Sequence, residues 1–143
     1  MVNQFQQELA EEYHPTEDEP YMSPRQLAYF RQKLLQWRAE LLAESAKTRE
    51  QMREEKLRET DLVDQGFSET ENAFELRTRD RYRKLIKKID AALERIDDGS
   101  YGFCEETGEE IGIRRLEARP IATMCVEAQE RHERMEKLQR IIE

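Results

Sequence analysis

The sequence contains little of several residue types, and each scarcity restricts what the chain can be. Only two of its 143 residues are cysteine and only five are glycine. No apolar run approaches the ~20 residues that a membrane-spanning helix needs. The low cysteine count and the lack of a secretory signal pattern favour a reducing compartment. We therefore expect a cytoplasmic protein that makes no contact with a membrane and carries no disulfide.

Basic charge and apolar residues are also in short supply. The formal net charge is −8, and charged residues make up 39% of the chain against 37% for hydrophobic ones. An acidic surface cannot neutralise the phosphates of a nucleic acid, so direct DNA binding is not expected. A high charged fraction suits long helices, because each helix buries only a narrow apolar stripe.

Glycine and proline are absent between Pro24 and Gly66, which predicts one long helix. Ser23 can cap its first turn, Pro24 is tolerated at the first helical position, and Gln26 can complete a capping box. The apolar positions then step alternately by three and four residues, which is the spacing of a coiled-coil seam. These positions are Leu27, Phe30, Leu34, Trp37 and Leu41.

A second helix with the same spacing follows a polar break. Gly99 is expected to end it, because glycine readily adopts the left-handed conformation found after helix ends. Two helices of similar length around one break predict an antiparallel hairpin. The seam positions of this second helix are Tyr82, Leu85, Ile89, Ala92 and Ile96.

The predicted fold class is mainly α, a long antiparallel coiled-coil hairpin with a small zinc-finger-like module and a C-terminal helix. Met135, Leu138, Ile141 and Ile142 suggest that this last helix packs back on the module or on the base of the hairpin. The expected organisation is a partly mobile or helical leader at 1–22, a coiled coil at 23–98 with an acidic tip near 58–66, the finger module at 99–128 and the C-terminal helix at 129–143.

The finger module has the spacing of a four-cysteine zinc site but only half of its thiols. Such a site places one Cys-x-x-Cys pair before a short hairpin and another after it. Cys104 and Cys125 keep the first position of each pair, whereas Thr107 and Ala128 stand in the second. Because a neutral hydroxyl and a methyl group are poor substitutes for thiolates, zinc is not expected, although a residual metal bound through His132 stays open.

Several segments resemble the DksA family of bacterial transcription factors. Ile111–Pro120 (IGIRRLEARP) is similar to the finger of that family, and residues 74–89 resemble its second coiled-coil helix. Asp61 and Asp64 match the paired aspartates at its coiled-coil tip, although their spacing alone would indicate only a solvated acidic turn. The resemblance covers roughly residues 20–128.

The resemblance implies an RNA polymerase-binding regulator whose coiled coil enters the secondary channel of the polymerase. Asp61, Asp64 and Gly66 would then act at the tip near the catalytic centre without catalysing a reaction. The basic run on the second helix would be a docking surface, although by itself it could equally be an ion-paired helix face. The docking candidates are Arg77, Arg81 and Lys87.

The resemblance also implies that the alarmone ppGpp acts as co-regulator at ribosomal RNA and stringent-response promoters. Its contact positions in the family fall here on Leu85, Lys88, Arg119 and Gln129. Gln129 replaces a basic residue, and one charge fewer weakens the attraction for phosphates. The predicted co-regulator is therefore ppGpp.

Two other functions compete with this interpretation. A transcript-cleavage factor also sends an acidic-tipped hairpin into the channel, where carboxylates hold a catalytic magnesium ion. The Ile111–Pro120 string argues against it, because cleavage factors carry a different globular domain. A coiled-coil adaptor without a polymerase partner is the third possibility. No nucleophile pattern, phosphate loop or zinc-protease string is present, so we expect a monomeric protein that is not an enzyme.

Overall fold

The computed structural model describes residues 13–59 and 65–142. Helices dominate this part of the chain, and its one β pairing is an isolated antiparallel bridge between Phe103 and Glu110. The predicted mainly α fold is confirmed. The helices are α1 (Pro24–Glu59), α2 (Gln65–Asp98), α3 (Ile113–Ala118) and α4 (Val126–Ile142). None of the described helices is long and apolar enough to cross a membrane.

Helix α1 begins at the predicted capping sequence, with one difference in its hydrogen bonds. The backbone N–H of Gln26 donates to Ser23 Oγ over 3.3 Å, as a capping serine requires. The side-chain oxygen of Gln26 accepts from the backbone N–H of Met22 over 2.7 Å. In a capping box the Gln26 side chain would accept from the Ser23 N–H. Here its donor is the N–H of Met22, one residue earlier.

Helix α2 ends at Asp98, as predicted, and the chain turns at Gly99. Gly99 has φ +85°, in the region that residues with a side chain rarely adopt. The backbone N–H groups of Ser100 and Tyr101 both donate to the carbonyl of Arg95, at 3.0 and 3.1 Å. These bonds satisfy one of the free carbonyls of the helix end and direct the chain into the finger.

The described residues form two compact units. The finger unit contains the chain up to Leu34 and from Ala92 onward, and the helical unit contains Leu35–Ala91. In the helical unit, Arg38 Nε lies 2.8 Å from Asp90 Oδ1. In the finger unit, Arg31 pairs with Asp97. Arg38 follows Arg31 by seven residues along α1, and its partner Asp90 precedes Asp97 by seven residues along α2. Partners that run in opposite directions are those of antiparallel helices, as predicted.

The predicted seam forms the helix core, but a polar residue occupies its first position. Gln26 is 0% exposed, whereas its neighbour Leu27 is half-buried. Burial of this amide is possible because Met22, Thr16 and Glu19 satisfy it with hydrogen bonds. The buried residues predicted from the three-four spacing are Phe30, Leu34, Leu41, Ile89, Ala92 and Ile96, with Trp37, Tyr82 and Leu85 half-buried.

Helix α4 packs only by its first turns. Ala128 is completely buried, and His132 Nε2 lies 3.3 Å from Glu106 Oε2 of the finger. The prediction that the apolar residues of this helix pack on the finger or on the base of the hairpin is wrong for its C-terminal half, where Ile141 is 80% and Ile142 is 83% exposed. Spacing reveals an apolar face, but it cannot show whether a neighbouring element reaches that face.

Candidate functional site

The finger is a short hairpin closed by backbone hydrogen bonds. The N–H of Cys104 donates to the carbonyl of Glu109 over 2.8 Å, and the N–H of Ile111 donates to the carbonyl of Gly102 over the same distance. Gly108 turns the chain with φ +74°, and its N–H donates to the Cys104 carbonyl over 2.9 Å. The hairpin thereby brings residues on both sides of the turn next to the Cys104 side chain.

Tyr21 links the segment before α1 to both ends of this hairpin. Its hydroxyl donates to the Gly102 carbonyl over 2.6 Å and accepts from the Gly112 N–H over 3.0 Å. Its ring meets the Phe103 ring edge-on, with centroids 5.6 Å apart. Burial raises the pKa of Tyr21, so the hydroxyl stays protonated and can donate. The finger is therefore fixed from outside its own sequence.

Most of the large apolar side chains of the finger are packed inside it. The buried ones are Tyr101, Ile111, Ile113, Leu116 and Ile121. Phe103 is exposed and Met124 is half-buried. The exposed Phe103 ring keeps one packing contact, the edge-on contact with Tyr21.

The four candidate ligand positions differ in burial and chemistry. Cys104 and Cys125 are buried free thiols, Ala128 is fully buried, and Thr107 is exposed. The Thr107 hydroxyl lies 3.9 Å from Cys125 Sγ and accepts a hydrogen bond from the Glu109 N–H over 3.2 Å. The fold thus places the side chains of Cys104, Thr107 and Cys125 close together. Ala128 is packed beside them but has no atom that could bind a metal.

The surroundings of Cys104 lower the pKa of its thiol. Burial raises its pKa, but hydrogen bonds from the Thr107 hydroxyl and from the backbone N–H groups of Cys125, Thr107 and Glu106 outweigh that effect. The net result lowers the pKa of Cys104 to about 6. A thiolate is the form in which cysteine binds a metal, so this position has the protonation state that a zinc ligand needs.

Two carboxylates complete the surroundings of Cys125. One ligand atom each from Glu109, Cys125 and Glu127 lies within 4.8 Å of the other two. Sulfur and carboxylate oxygen are both zinc ligands, so this donor set fits the metal. His132, which the sequence left open as a ligand, lies beside Glu106 and is not part of this group.

Neither of these two glutamates was predicted from the sequence. Glu109 and Glu127 lie outside the four positions that the cysteine spacing marks, and the sequence suggested only His132 by name beyond those positions. No ligand motif surrounds either residue, so only the folded arrangement reveals that they approach Cys125.

The predicted docking residues lie on helix α2 within the helical unit. Arg77, Arg81 and Lys87 all have exposed side chains. Arg77 Nε donates to the carbonyl of Ala73 over 3.3 Å. The neighbouring Lys84 pairs with Asp80 over 3.2 Å, one turn apart on the same helix. One lysine of the basic run is therefore ion-paired within α2. The three docking candidates remain exposed to solvent.

The ppGpp-contact candidates divide between the two units. Leu85 is half-buried and Lys88 is exposed on α2 of the helical unit. In the finger unit, Arg119 is exposed directly after α3, and Gln129 is half-buried in α4. The Gln129 amide donates to Glu133 over 3.2 Å.

The tip candidates are only partly described. Gly66 lies in the first turn of α2. Asp61 and Asp64 lie outside the described residues, so their role stays a prediction.

Two family models match this chain. Residues 26–96 match the N-terminal domain of DnaK suppressor protein DksA, and residues 99–134 match the prokaryotic dksA/traR C4-type zinc finger. The second match points to zinc binding and shows that the expectation of a zinc-free module is wrong. That expectation counted thiolates at the four cysteine positions, whereas the fold places Glu109 and Glu127 beside Cys125.

The chain is also similar to named proteins over most of its length. It is 62% identical over 129 residues to the RNA polymerase-binding transcription factor DksA of Caulobacter vibrioides, covering 90% of this chain and 91% of that protein. It is 46% identical over 127 residues to the protein of that name from Escherichia coli K12, covering 89% and 84%. The structure of transcription factor DksA2 from Pseudomonas aeruginosa matches with a TM-score of 0.79 and 42% identity, covering 93% of this chain and 98% of that one. The chain belongs to the DksA family.

Proposed function

We propose that this protein binds RNA polymerase and regulates transcription initiation. The observation that carries the proposal is the 62% identity, over 90% of the chain, to a protein named as an RNA polymerase-binding transcription factor. The exposed basic side chains of α2 suit an acidic partner surface. The net charge of −8 argues that such a partner is reached through protein contacts and not through DNA phosphates.

In this proposal the coiled coil enters the secondary channel, and the tip carboxylates Asp61 and Asp64 modulate initiation without chemistry of their own. The nucleotide ppGpp acts as co-regulator and contacts the factor through cationic side chains such as Lys88 and Arg119. Guanidinium and ammonium groups are the usual partners of phosphates. The regulator acts as a monomer, and its targets are ribosomal RNA and stringent-response promoters.

In vitro transcription from a ribosomal RNA promoter tests the proposal. With polymerase and promoter fixed, adding the protein should lower transcript yield and shorten the lifetime of the open complex, and ppGpp should deepen both effects. A promoter with a long-lived open complex serves as the control. Unchanged yield and lifetime at saturating protein would refute the proposal, and shortened transcripts from stalled complexes would favour the cleavage factor.

Replacing Asp64 with Asn is expected to abolish this regulation while leaving polymerase affinity nearly unchanged. The substitution keeps the side-chain shape and removes the charge, so only an electrostatic role of the carboxylate is lost. Affinity would be measured by competition binding and regulation by transcript yield. Parallel losses of binding and regulation would show that the tip contributes to docking instead.

Reversing the charge at Arg81 is expected to weaken polymerase binding by on the order of tenfold, which corresponds to about 1.4 kcal/mol. The Arg81→Glu protein should also show a smaller loss of affinity as salt is added, because fewer favourable charge contacts remain to be screened. Arg53→Glu, a reversal at another exposed arginine that lies on α1, is the matched control. Equal effects of the two reversals would assign the change to net charge and not to a docking surface.

A further inference from the structure

We propose that Lys33 is a positioning residue of the finger, which holds the end of α3 and thereby fixes the point from which Arg119 extends toward the nucleotide. The inference deepens the proposed function and rests on the proposed contact between Arg119 and ppGpp. Lys33 lies on the part of α1 that belongs to the finger unit. It is far from residues 111–120 in the sequence, so no finger motif marks it.

The Lys33 ammonium makes two contacts with a single residue of α3. Lys33 Nζ donates to the backbone carbonyl of Glu117 over 2.8 Å and lies 3.2 Å from the carboxylate Oε2 of the same residue. Both side chains are 33% exposed, so solvent screens this pair less than it screens a pair on the open surface. The ammonium also lies 5.9 Å from the centroid of the Tyr29 ring, within the range of a cation–π contact. These contacts together restrict the position of the ammonium.

Helix α3 depends on such contacts because it is short. It has six residues, and isolated helices of that length are not stable in water. The last carbonyls of a helix have no partner inside the helix, and a cation is favourable at this end because the helix dipole is negative there. Lys33 supplies both the hydrogen bond and the positive charge from a neighbouring helix. The end of α3 is therefore held by α1 as well as by its own sequence.

The residue after α3 combines a fixed backbone with an exposed side chain. The Arg119 N–H donates to the Arg115 carbonyl over 2.8 Å, and the Arg119 carbonyl accepts from the Ala122 N–H over 3.0 Å. The Arg119 side chain is exposed. A guanidinium that extends from a fixed backbone loses less conformational freedom when it binds a phosphate. Because Lys33 holds the carbonyl two residues earlier, its loss should loosen this backbone.

The ppGpp response of the Lys33→Met protein tests this role. Methionine keeps an unbranched apolar chain and removes the ammonium. At a ribosomal RNA promoter, the ppGpp concentration that gives half of the maximal effect on open-complex lifetime should rise roughly three- to tenfold, as expected for lost preorganisation. Polymerase affinity in the absence of ppGpp should not change. Lys47→Met, at an exposed lysine of α1 in the helical unit, is the matched control.

A double substitution shows whether Lys33 acts through Arg119. Arg119→Ala alone should weaken the ppGpp response, and adding Lys33→Met should cause no further loss, because effects that pass through one group do not add. An equal rise in the half-maximal ppGpp concentration with and without Arg119 would overturn the positioning role. So would a Lys33→Met protein that responds like the Lys47→Met control. An undiminished response of the Arg119→Ala protein would instead refute the proposed nucleotide contact, and the role of Lys33 with it.

Amide hydrogen exchange gives a readout that requires neither polymerase nor nucleotide. In the full Lys33→Met chain, the Arg119 amide should exchange roughly threefold faster or more, because the end of α3 opens more often. Unchanged exchange at Phe30 and Leu34 would establish that the core is intact. Glu117→Gln removes the ion pair but keeps the carbonyl contact, so its Arg119 exchange rate should lie between the other two. An Arg119 amide that exchanges at the same rate in all three proteins would overturn the proposal.

Discussion

The Tyr101→Ala protein is expected to lose about 3–5 kcal/mol of unfolding free energy, as large-to-small core substitutions of aromatic residues do. The side chain is 1% exposed, so its removal opens a cavity in the finger unit. The ring also lies 5.7 Å from the ring of Phe30, centroid to centroid, and links the finger to α1. Urea denaturation followed by circular dichroism would measure the loss.

The Tyr101→Phe protein separates the hydroxyl from the ring. The hydroxyl donates to the Pro120 carbonyl over 2.7 Å in a buried position, and burial raises the pKa of Tyr101 so that the donor proton is retained. Losing this bond should cost about 1–3 kcal/mol, because the carbonyl is left without its partner. If the Phe and Ala proteins were equally stable, ring packing would contribute nothing, which would contradict the assignment of Tyr101 to the core.

The Gly102→Ala protein is expected to lose about 2–4 kcal/mol, more than an ordinary surface substitution. Gly102 has φ +89°, and a Cβ added there would lie 2.8 Å from both Cγ and Sδ of Met22. It would also lie 3.2 Å from the Tyr21 hydroxyl, which bonds to the carbonyl of this same glycine. Backbone strain and steric conflict therefore act together.

Gly108→Ala is the matched control for this substitution. Gly108 has a similar φ of +74°, but a Cβ there would meet nothing within 4 Å. The control should lose only the conformational part, about 1–2 kcal/mol. Thermal or urea unfolding of both proteins would measure the difference. Equal losses would show that the contact with Met22 is relieved at no cost and that conformation alone requires glycine at position 102.

Periodicity predicted the helices well because their core is apolar and regularly spaced. Phe30, Leu34 and Ile89 are buried where the three-four pattern places them. The same pattern overlooked Gln26, whose burial depends on hydrogen bonds from a segment that has no periodicity. Hydropathy reflects the free-energy cost of burying an amide. It does not show which hydrogen-bond partners offset that cost, because those depend on the folded structure.

The candidate site was predictable only where its residues follow a recognisable sequence spacing. The spacing of Cys104 and Cys125 indicated the finger, and the match to the C4-type zinc finger confirms that family. The expectation of a zinc-free module considered the cysteine positions and His132, and the match to the C4-type zinc finger contradicts it. Glu109 and Glu127 approach Cys125 only in the folded chain, so no sequence spacing marks them. The exposure of Ile141 could not be predicted from the sequence either, because it depends on which parts of the folded chain contact α4.

The Tyr21 link has a consequence for the order in which the molecule folds. Its hydroxyl joins residues 81 and 91 positions away along the chain, at Gly102 and Gly112. Contacts across such long loops carry a large entropic cost until other structure brings the ends together. Because pairing of α1 with α2 brings the ends of this long loop together, we expect the finger to be completed after the two helices associate.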